Sequence, residues 1–372
     1  MGADEGLKSG LFSHPFVYIE DHINRCLELC DFFLTKDLPL LSDEILRAVY
    51  LSIILHDFGK TTSYFQEYIN SVMKGTEFKK PKFNHSPISG IYAFSVAKKL
   101  LASEFLPFFV YITCRRHHSN LKNFKDEATI DDSRFIKFLK KQAESIDEDK
   151  VNLYFSNLRI SEELKSAIKF SKEDFLRELE SITRELRKFR KILRKRKSSI
   201  KDYLVFQYIF SLLLDSDKTE AGAKPFNPQR YKNISCSVVE NYKVKHLKQN
   251  SEISSLRERA YKEVMEKEID LSQKVYSLTL PTGMGKTLTG FAFALKLREI
   301  IHRERGRLPR IIYSLPFLSI IDQNAEVLKG VLETEFQVKS SLLLKHHHLL
   351  TKTTVNMNFQ FQGYSPRAGT QK

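Results

Sequence analysis

Cysteines, long apolar runs and helix-breaking residues are all scarce in this chain of 372 residues. Its four cysteines lack the dense spacing of a disulfide framework, which favours a reducing compartment. No apolar run reaches the roughly 18 to 20 residues that span a bilayer, and the N-terminus has no basic segment followed by an apolar stretch and a cleavage site. We therefore expect a cytoplasmic protein with no membrane partner.

The composition that is present suits a folded protein with an anionic partner. A hydrophobic content of 42% is enough for real cores, and the length suits two domains. Sixty Lys and Arg residues against 45 Asp and Glu give a formal net charge of +15. This charge favours binding to DNA or RNA, although a solvated basic surface would have the same composition.

The first part of the chain, from about 16 to about 217, has few Gly or Pro residues and little period-two alternation, which predicts an all-α domain. One predicted helix combines an apolar stripe with a dense basic face from Arg184 to Lys197. That face could track a nucleic-acid backbone or could simply be solvated. The stripe consists of Ile182, Leu186, Phe189 and Leu193.

The second part of the chain follows a change in composition after Asp217, where Gly222, Pro225 and Pro228 break the helical pattern. The pattern then predicts a strand, a glycine loop, a helix and a second strand. This order is the start of a parallel α/β sheet. The predicted elements are Lys274–Leu280, Gly283–Lys286, Leu288–Ile301 and Arg310–Leu315.

His56 and Asp57 lie in an apolar stretch that predicts a buried helix ending near Gly59. A buried carboxylate needs partners that offset its desolvation, and a metal ion is one such partner. Adjacent residues on a helix point about 100° apart, so both can face one ion only near the helix end. A hydrogen-bonded pair in the core is the alternative.

Further histidines and a late aspartate extend this candidate site. His22 lies in the predicted helix before this stretch. His117 and His118 close the predicted helix Pro107–Arg116, and Asp217 follows the apolar run Tyr203–Leu214, at the end of another predicted helix. Imidazole suits borderline metals, and a carboxylate can bridge two ions. The complete set could therefore hold a binuclear centre. Its members are His22, His56, Asp57, His85, His117, His118 and Asp217.

The order of these residues resembles the HD nuclease domain of the CRISPR-associated nuclease-helicase of type I interference systems. The resemblance covers most of residues 11 to 220. The double histidine and the late carboxylate make it more specific than His-Asp alone. Its segments are Ser13-His14-Pro15, Glu20-Asp21-His22, His56 to Lys60, Phe65-Gln66, His85, His117-His118 and Ser216-Asp217-Lys218.

The resemblance implies two divalent transition-metal ions of the Fe, Mn, Ni or Co class, with Asp57 as the bridging ligand. One ion would be held by His22, His56, Asp57 and Asp217, and the other by Asp57, His85, His117 and His118. Lys60 could add positive charge at the scissile phosphate, or it could be an ordinary lysine at a helix C-terminus. Asp215 is the alternative to Asp217, which we prefer because Ser-Asp-Lys resembles the family's triplet.

A structural zinc site is a competing hypothesis for the first helix. His22, Cys26 and Cys30 have the spacing i, i+4, i+8, which places an imidazole and two thiols on one helical face. One straight helix cannot surround a tetrahedral ion alone. Cysteine also behaves as a small hydrophobe, so the two thiols could belong to the core.

The glycine loop resembles the phosphate loop of superfamily 2 helicases, although Leu280 stands where the strict pattern has its first glycine. Such a loop would bind Mg-ATP through Gly283, Gly285, Lys286 and Thr287. Ser314-Leu-Pro316 and Ile321-Asp322-Gln323 resemble the next helicase motif. After Lys286 the only aspartate is Asp322, so we find no acidic pair and expect no ATP hydrolysis. His346, His347 and His348 could be a metal tract, but we place them in an incomplete motor domain.

Together these features predict a mainly α HD-domain bundle at 1–235, a linker at 236–265 and a partial α/β, RecA-like domain at 266–372. The predicted function is metal-dependent cleavage of single-stranded DNA, with a crRNA-guided surveillance complex as the partner that the resemblance implies. One alternative is an HD phosphohydrolase that acts on small nucleotides. The other is a catalytically idle nucleic-acid-binding fragment.

Overall fold

The computed structural model describes residues 7–34, 42–78, 84–128, 133–195, 199–222, 233–247, 251–306, 308–336 and 343–345. The chain divides into two compact units, Met1–Lys224 and Pro225–Lys372. Each unit has its own buried apolar cluster, and each is described by itself. None of the described helices is both long and apolar enough for a membrane span.

The first unit is helical, as predicted, apart from a small hairpin and a 3-10 turn at Phe58–Thr61. The hairpin strands are β1 (Phe12–His14) and β2 (Val17–Tyr18). The helices are α1 (Ile19–Phe33), α2 (Asp43–Leu55), α3 (Ser63–Met73), α4 (Ser86–Leu100), α5 (Leu106–Arg116), α6 (Phe124–Glu127), α7 (Ser133–Glu144), α8 (Glu148–Ser156), α9 (Glu162–Ala167), α10 (Lys172–Lys195) and α11 (Ile200–Ala221).

Helices α1, α2, α4, α5 and α11 pack against one another and bury most of the apolar surface of the unit. Helix α2 illustrates why: Ser42 caps its N-terminus by accepting a hydrogen bond from the Ile45 N–H, and acidic residues occupy the first turn. Residues 51–55 are then buried on every side, so the helix runs through the core rather than along the surface. The C-terminal end of α2 therefore lies inside the unit.

The hairpin was not predicted, because its strands have only three and two residues and their position depends on a distant side chain. The Gln66 amide accepts a hydrogen bond from the Phe12 N–H (3.0 Å) and donates to the Phe12 carbonyl (2.9 Å). The same amide donates to the Lys60 carbonyl at 2.7 Å. Gln66 thus ties the hairpin to the 3-10 turn.

Helix α10 has the two faces that its sequence predicts. Ile182, Leu186 and Phe189 are buried in the core of the unit. On the other side, Arg184, Arg187 and Lys188 are exposed, together with Lys191. The apolar stripe holds the helix on the bundle and leaves a basic surface facing solvent.

The second unit differs from the predicted α/β domain. It contains helices α12 (Ser237–His246), α13 (Glu252–Glu266), α14 (Lys286–Arg305) and α15 (Leu318–Glu333), so the stretch predicted as a linker is largely helical. In the part of the chain that the structure describes, the only sheet is the two-stranded antiparallel hairpin of the first unit. The predicted RecA-like parallel sheet is not seen.

The two predicted strands, Lys274–Leu280 and Arg310–Leu315, have no strand assignment. A parallel strand must bond to a neighbour on its edge, and an apolar strand is stable only when its faces are covered. Val275 and Ile312 are instead 77% and 86% exposed. The two segments contain apolar residues, as the prediction requires, but within the described residues they do not pair as strands.

Candidate metal centre

Three helix ends converge on one buried position in the first unit. His56 caps the C-terminus of α2, and Asp57 follows it as the N-cap of the 3-10 turn. His117 caps the C-terminus of α5, and His85 precedes the first residue of α4. His56 and Asp57 have no exposed surface. Helix ends can aim adjacent side chains at one point, which explains how His56 and Asp57 meet the other ligand candidates.

The first group of side chains faces one oxygen of Asp57. The Nε2 atoms of His22 and His56 lie 3.3 Å and 3.5 Å from Asp57 Oδ2. Asp217 approaches from α11, with its Oδ1 atom 3.5 Å from His22 Nε2 and 3.6 Å from His56 Nε2. Asp215, the alternative in the sequence, is exposed.

The second group faces the other oxygen of Asp57. The Nε2 atoms of His85 and His117 lie 3.3 Å and 3.6 Å from Asp57 Oδ1. His118 stands beside them, with its ring centroid 3.9 Å from that of His117. These four residues have ligand atoms that all lie within 4.8 Å of one another. The structure thus brings together all seven residues predicted as ligands, in two groups that share Asp57.

The polar atoms at the centre of these groups fit bound cations better than hydrogen bonds. His56 Nδ1 lies 2.7 Å from the Ile53 carbonyl, which can only accept, so Nε2 is left without a proton in the neutral ring. His56 Nε2 and Asp57 Oδ1 are buried without a hydrogen-bond partner, while Asp57 Oδ2 forms an ion pair with the Lys60 ammonium at 2.7 Å. Two ligands about 2.1 Å from one ion are roughly 3.0 to 3.4 Å apart, close to the separations seen here.

The electrostatics of the second group favour the protonation states that a metal requires. Burial lowers the pKa of His85 to about 4 and that of His118 to about 2, so both rings are neutral bases at neutral pH. Burial would raise the pKa of Asp57, but the charges of Lys60 and His56 outweigh it and hold that pKa well below its usual range. Neutral imidazole and ionised carboxylate are the forms that bind divalent ions.

The surroundings of His22 favour a positive charge. Burial lowers the pKa of His22, but interactions with Cys26, Asp57 and Glu220 outweigh burial and raise it well above its ordinary value. The pKa of Asp217 is held below its usual range, since its interactions with His56 outweigh the effect of burial. A proton on the imidazole or a metal ion beside it would meet this demand.

The sequence left open whether Lys60 is an ordinary surface lysine, and the structure shows that it is not. It is 4% exposed, and its Nζ atom lies 2.7 Å from Asp57 Oδ2. Its ion pair with Asp57 therefore lies inside the core, beside the other candidate ligands.

Gly59 serves a different purpose from the helix termination that we predicted. It lies inside the 3-10 turn, and its φ is not positive. A Cβ atom at this position would stand 2.2 Å from the His85 carbonyl oxygen and 2.6 Å from Ile88 Cγ2. The Gly59 N–H also donates to Ser89 Oγ at 2.8 Å. Glycine therefore allows the turn that carries Asp57 to touch the segment that carries His85.

Two polar residues next to the centre were not assigned from the sequence. His14 was predicted only as part of the segment Ser13-His14-Pro15, and its ring centroid lies 4.9 Å from that of His22. Glu220 contacts the other nitrogen of His22, and the three residues form a third group of potential ligands. Helix α11 does not end at Asp217 as predicted but continues to Ala221. The i, i+3 spacing of Asp217 and Glu220 was the signal that could have found Glu220.

The competing zinc site does not form. Cys26 and Cys30 are both fully buried in the apolar core, and the groups of potential ligands found among the described residues include no cysteine. Burial raises the pKa of Cys30 to about 12, which disfavours the thiolate that a zinc ion needs.

The glycine loop of the second unit has part of the geometry of a phosphate loop. Gly283 and Gly285 have φ values of 84° and 81°, and helix α14 begins at Lys286. The Arg257 Nε–H donates to the Gly283 carbonyl at 2.7 Å. Lys286 is exposed and Thr287 follows it in the first turn. The histidine tract at 346–348 lies outside the described residues.

The helical bundle and its buried His and Asp groups are consistent with an HD-type, metal-dependent hydrolase. The chain is similar to the CRISPR-associated nuclease/helicase Cas3 of Haloferax volcanii, with 39% identity over 85 residues. The matched segment is 23% of this chain and spans only 9% of the length of that protein. No family model matches the chain.

Proposed function

We propose that the first unit is an HD-type nuclease that uses two divalent transition-metal ions to cleave single-stranded DNA. The observation that carries this proposal is the position of Asp57. Its Oδ2 atom faces His22 and His56, while its Oδ1 atom faces His85 and His117. A carboxylate whose two oxygens face two separate imidazole pairs is suited to bridge two ions.

In this proposal the residues of the chain have distinct roles. Asp57 and Asp217 would hold one ion with His22 and His56, while His85, His117 and His118 would hold the other with Asp57. The bound pair would supply an activated water and offset the charge that develops on the phosphate. Lys60, paired with Asp57 in the core, would keep positive charge next to the phosphate.

DNA as the substrate is supported by charge and by the partial match to a nuclease/helicase. The exposed basic face of α10 offers Arg184, Arg187 and Lys188 to a phosphate backbone. The metals would be of the Fe, Mn, Ni or Co class, which imidazole ligands suit. A crRNA-guided surveillance complex is the proposed partner, because the relative is a CRISPR-associated protein.

For the second unit we propose nucleotide binding without turnover. The left-handed glycines at 283 and 285 expose backbone amides ahead of α14, and Lys286 and Thr287 would contact the phosphates and magnesium of Mg-ATP. Hydrolysis also requires acidic residues that orient magnesium and water, and Asp322 is the only aspartate after this loop.

Circular single-stranded DNA tests the proposed activity directly, because it has no ends and is not a small nucleotide. We expect Mn²⁺-loaded protein to linearise the circle and the chelator-treated protein to leave it intact. Hydrolysis of mononucleotides with no cleavage of the circle would favour the small-nucleotide phosphohydrolase. Binding of DNA without any hydrolysis would favour the idle fragment.

A further inference from the structure

Two histidines of the proposed metal centre share a hydrogen bond that fixes which of their nitrogens would face the ion. His56 and His117 each donate an Nδ1 hydrogen to a backbone carbonyl three residues earlier, Ile53 and Cys114, at 2.7 Å. Both residues cap the C-termini of their helices, where such carbonyls are not used by the helix. The local backbone therefore sets the tautomer of these two rings.

His22 cannot form this hydrogen bond, because it lies inside the first turns of α1, where the helix bonds its own carbonyls. Its Nδ1 atom instead lies 2.5 Å from Glu220 Oε2 of α11. The other carboxylate oxygen, Glu220 Oε1, accepts a hydrogen bond from Arg25 at 3.1 Å. The Glu220 side chain is only 5% exposed, so it is held between two residues of α1.

We propose that Glu220 is a positioning residue that orients His22 for metal binding. The carboxylate accepts the Nδ1 hydrogen and so directs Nε2 at Asp57 and Asp217. Asp217 and Glu220 are three positions apart on α11 and share a face, so one contacts each nitrogen of the same ring. From a distant helix, Glu220 thus gives His22 the Nδ1 acceptor that backbone carbonyls give to His56 and His117.

The alternative is that Glu220 is itself a ligand, in a third site with His14 and His22. The distance of 2.5 Å between His22 Nδ1 and Glu220 Oε2 argues against it. Two ligands about 2.1 Å from one ion and at right angles are roughly 3.0 Å apart. The observed contact is too short to hold an ion between the two atoms and joins an imidazole to a carboxylate, as a charge-assisted hydrogen bond does, and Arg25 engages the second oxygen.

Two substitutions separate orientation from ligation, with a third as the matched control. Glu220→Ala removes the acceptor, while Glu220→Gln keeps a neutral acceptor of the same shape. Glu20→Gln changes a fully buried carboxylate on α1 whose oxygens accept hydrogen bonds from Ser9, both at 2.8 Å. The control therefore makes the same charge change in the core without altering a histidine partner.

The measurement is titration of the metal-free protein with Mn²⁺. We expect Glu220→Ala to weaken one of two Mn²⁺ sites by roughly 10- to 100-fold, Glu220→Gln to weaken it less, and Glu20→Gln to change neither site. All three variants should still bind two ions at saturation. In the Zn²⁺-loaded wild type, the ¹⁵N spectrum should show that His22 Nδ1 keeps its proton.

Each other result overturns the proposal. Loss of one ion at saturation from both Glu220 variants would make Glu220 a ligand. Unchanged Mn²⁺ affinity in Glu220→Ala would remove any role toward the metal. The proposal rests on the metal centre of the proposed function, and failure of the wild type to bind Mn²⁺ would refute both. Two sites of normal affinity in every variant would refute only the role of Glu220.

Discussion

Replacing Gly59 by alanine should damage the metal centre through contact alone. The added methyl would lie 2.2 Å from the His85 carbonyl oxygen, and contacts below 3.0 Å essentially do not occur, so that carbonyl must move by about 0.8 Å. Overpacking of this kind costs about 1 to 3 kcal/mol, while removing a glycine from a helical turn returns about 0.5 to 1 kcal/mol. We expect a net loss of about 1 kcal/mol of unfolding free energy, with an upper limit of about 2.5 kcal/mol.

The same displacement should reach the metal, because His85 faces Asp57 Oδ1. Disturbing the support of a metal ligand typically costs about 10- to 100-fold in affinity, so affinity for the ion at the second group should fall about tenfold or more. Urea unfolding gives the change in stability, and Mn²⁺ titration gives the change in affinity. Wild-type values in both assays would refute the role assigned to Gly59.

Gly75→Ala is the matched control for the Gly59 variant. Gly75 follows α3 with a φ of 65°, and a Cβ atom there would contact nothing within 4 Å. Alanine in this left-handed conformation costs about 1 to 2 kcal/mol without touching a ligand. The two variants should therefore lose similar stability, and only Gly59→Ala should lose metal affinity.

Three further predictions concern the bridge, the basic helix and the glycine loop. Asp57→Ala should lose both ions and the nuclease activity together, and full cleavage by a folded, metal-depleted variant would contradict the binuclear centre. Neutralising Arg184, Arg187 and Lys188 should weaken binding to single-stranded DNA and lower its salt dependence at unchanged metal content, whereas an unaltered salt slope would mean that this face is only solvated. Cleavage should be independent of ATP and unaffected by Lys286→Ala, and DNA-stimulated ATP hydrolysis that this substitution abolishes would contradict the prediction.

The sequence was informative about the candidate metal centre because metal ligands impose residue type and order. His56 and Asp57 could be placed at the end of a buried helix from apolar neighbours alone, and the structure has them there. The same apolar pattern could not tell that Lys60 is buried, since the i, i+3 spacing from Asp57 does not show that the two side chains pair. Burial of a charged residue is decided by pairing, which a local pattern does not contain.

Other features depended on contacts between distant segments. Gly59 looked like a helix terminator, but its reason is the approach of the His85 carbonyl from another segment. Glu220 escaped notice because the polar residues after Asp217 suggested the end of a helix that in fact continues for another turn. The apolar segment Lys274–Leu280 predicted a strand, although an apolar pattern does not specify a bonding neighbour.

The pairing of α1 with α11 has a consequence for how this unit would acquire the proposed metal ions. The contact between His22 and Glu220 joins residues 198 positions apart, so the proposed ligands on α1 and α11 converge only after these two helices have docked. Closing such a long loop is slow compared with forming a local helix. An ion that binds only the docked state shifts the folding equilibrium by mass action. The proposed ions would therefore favour the docked state, and ion uptake would report the docking of α1 with α11.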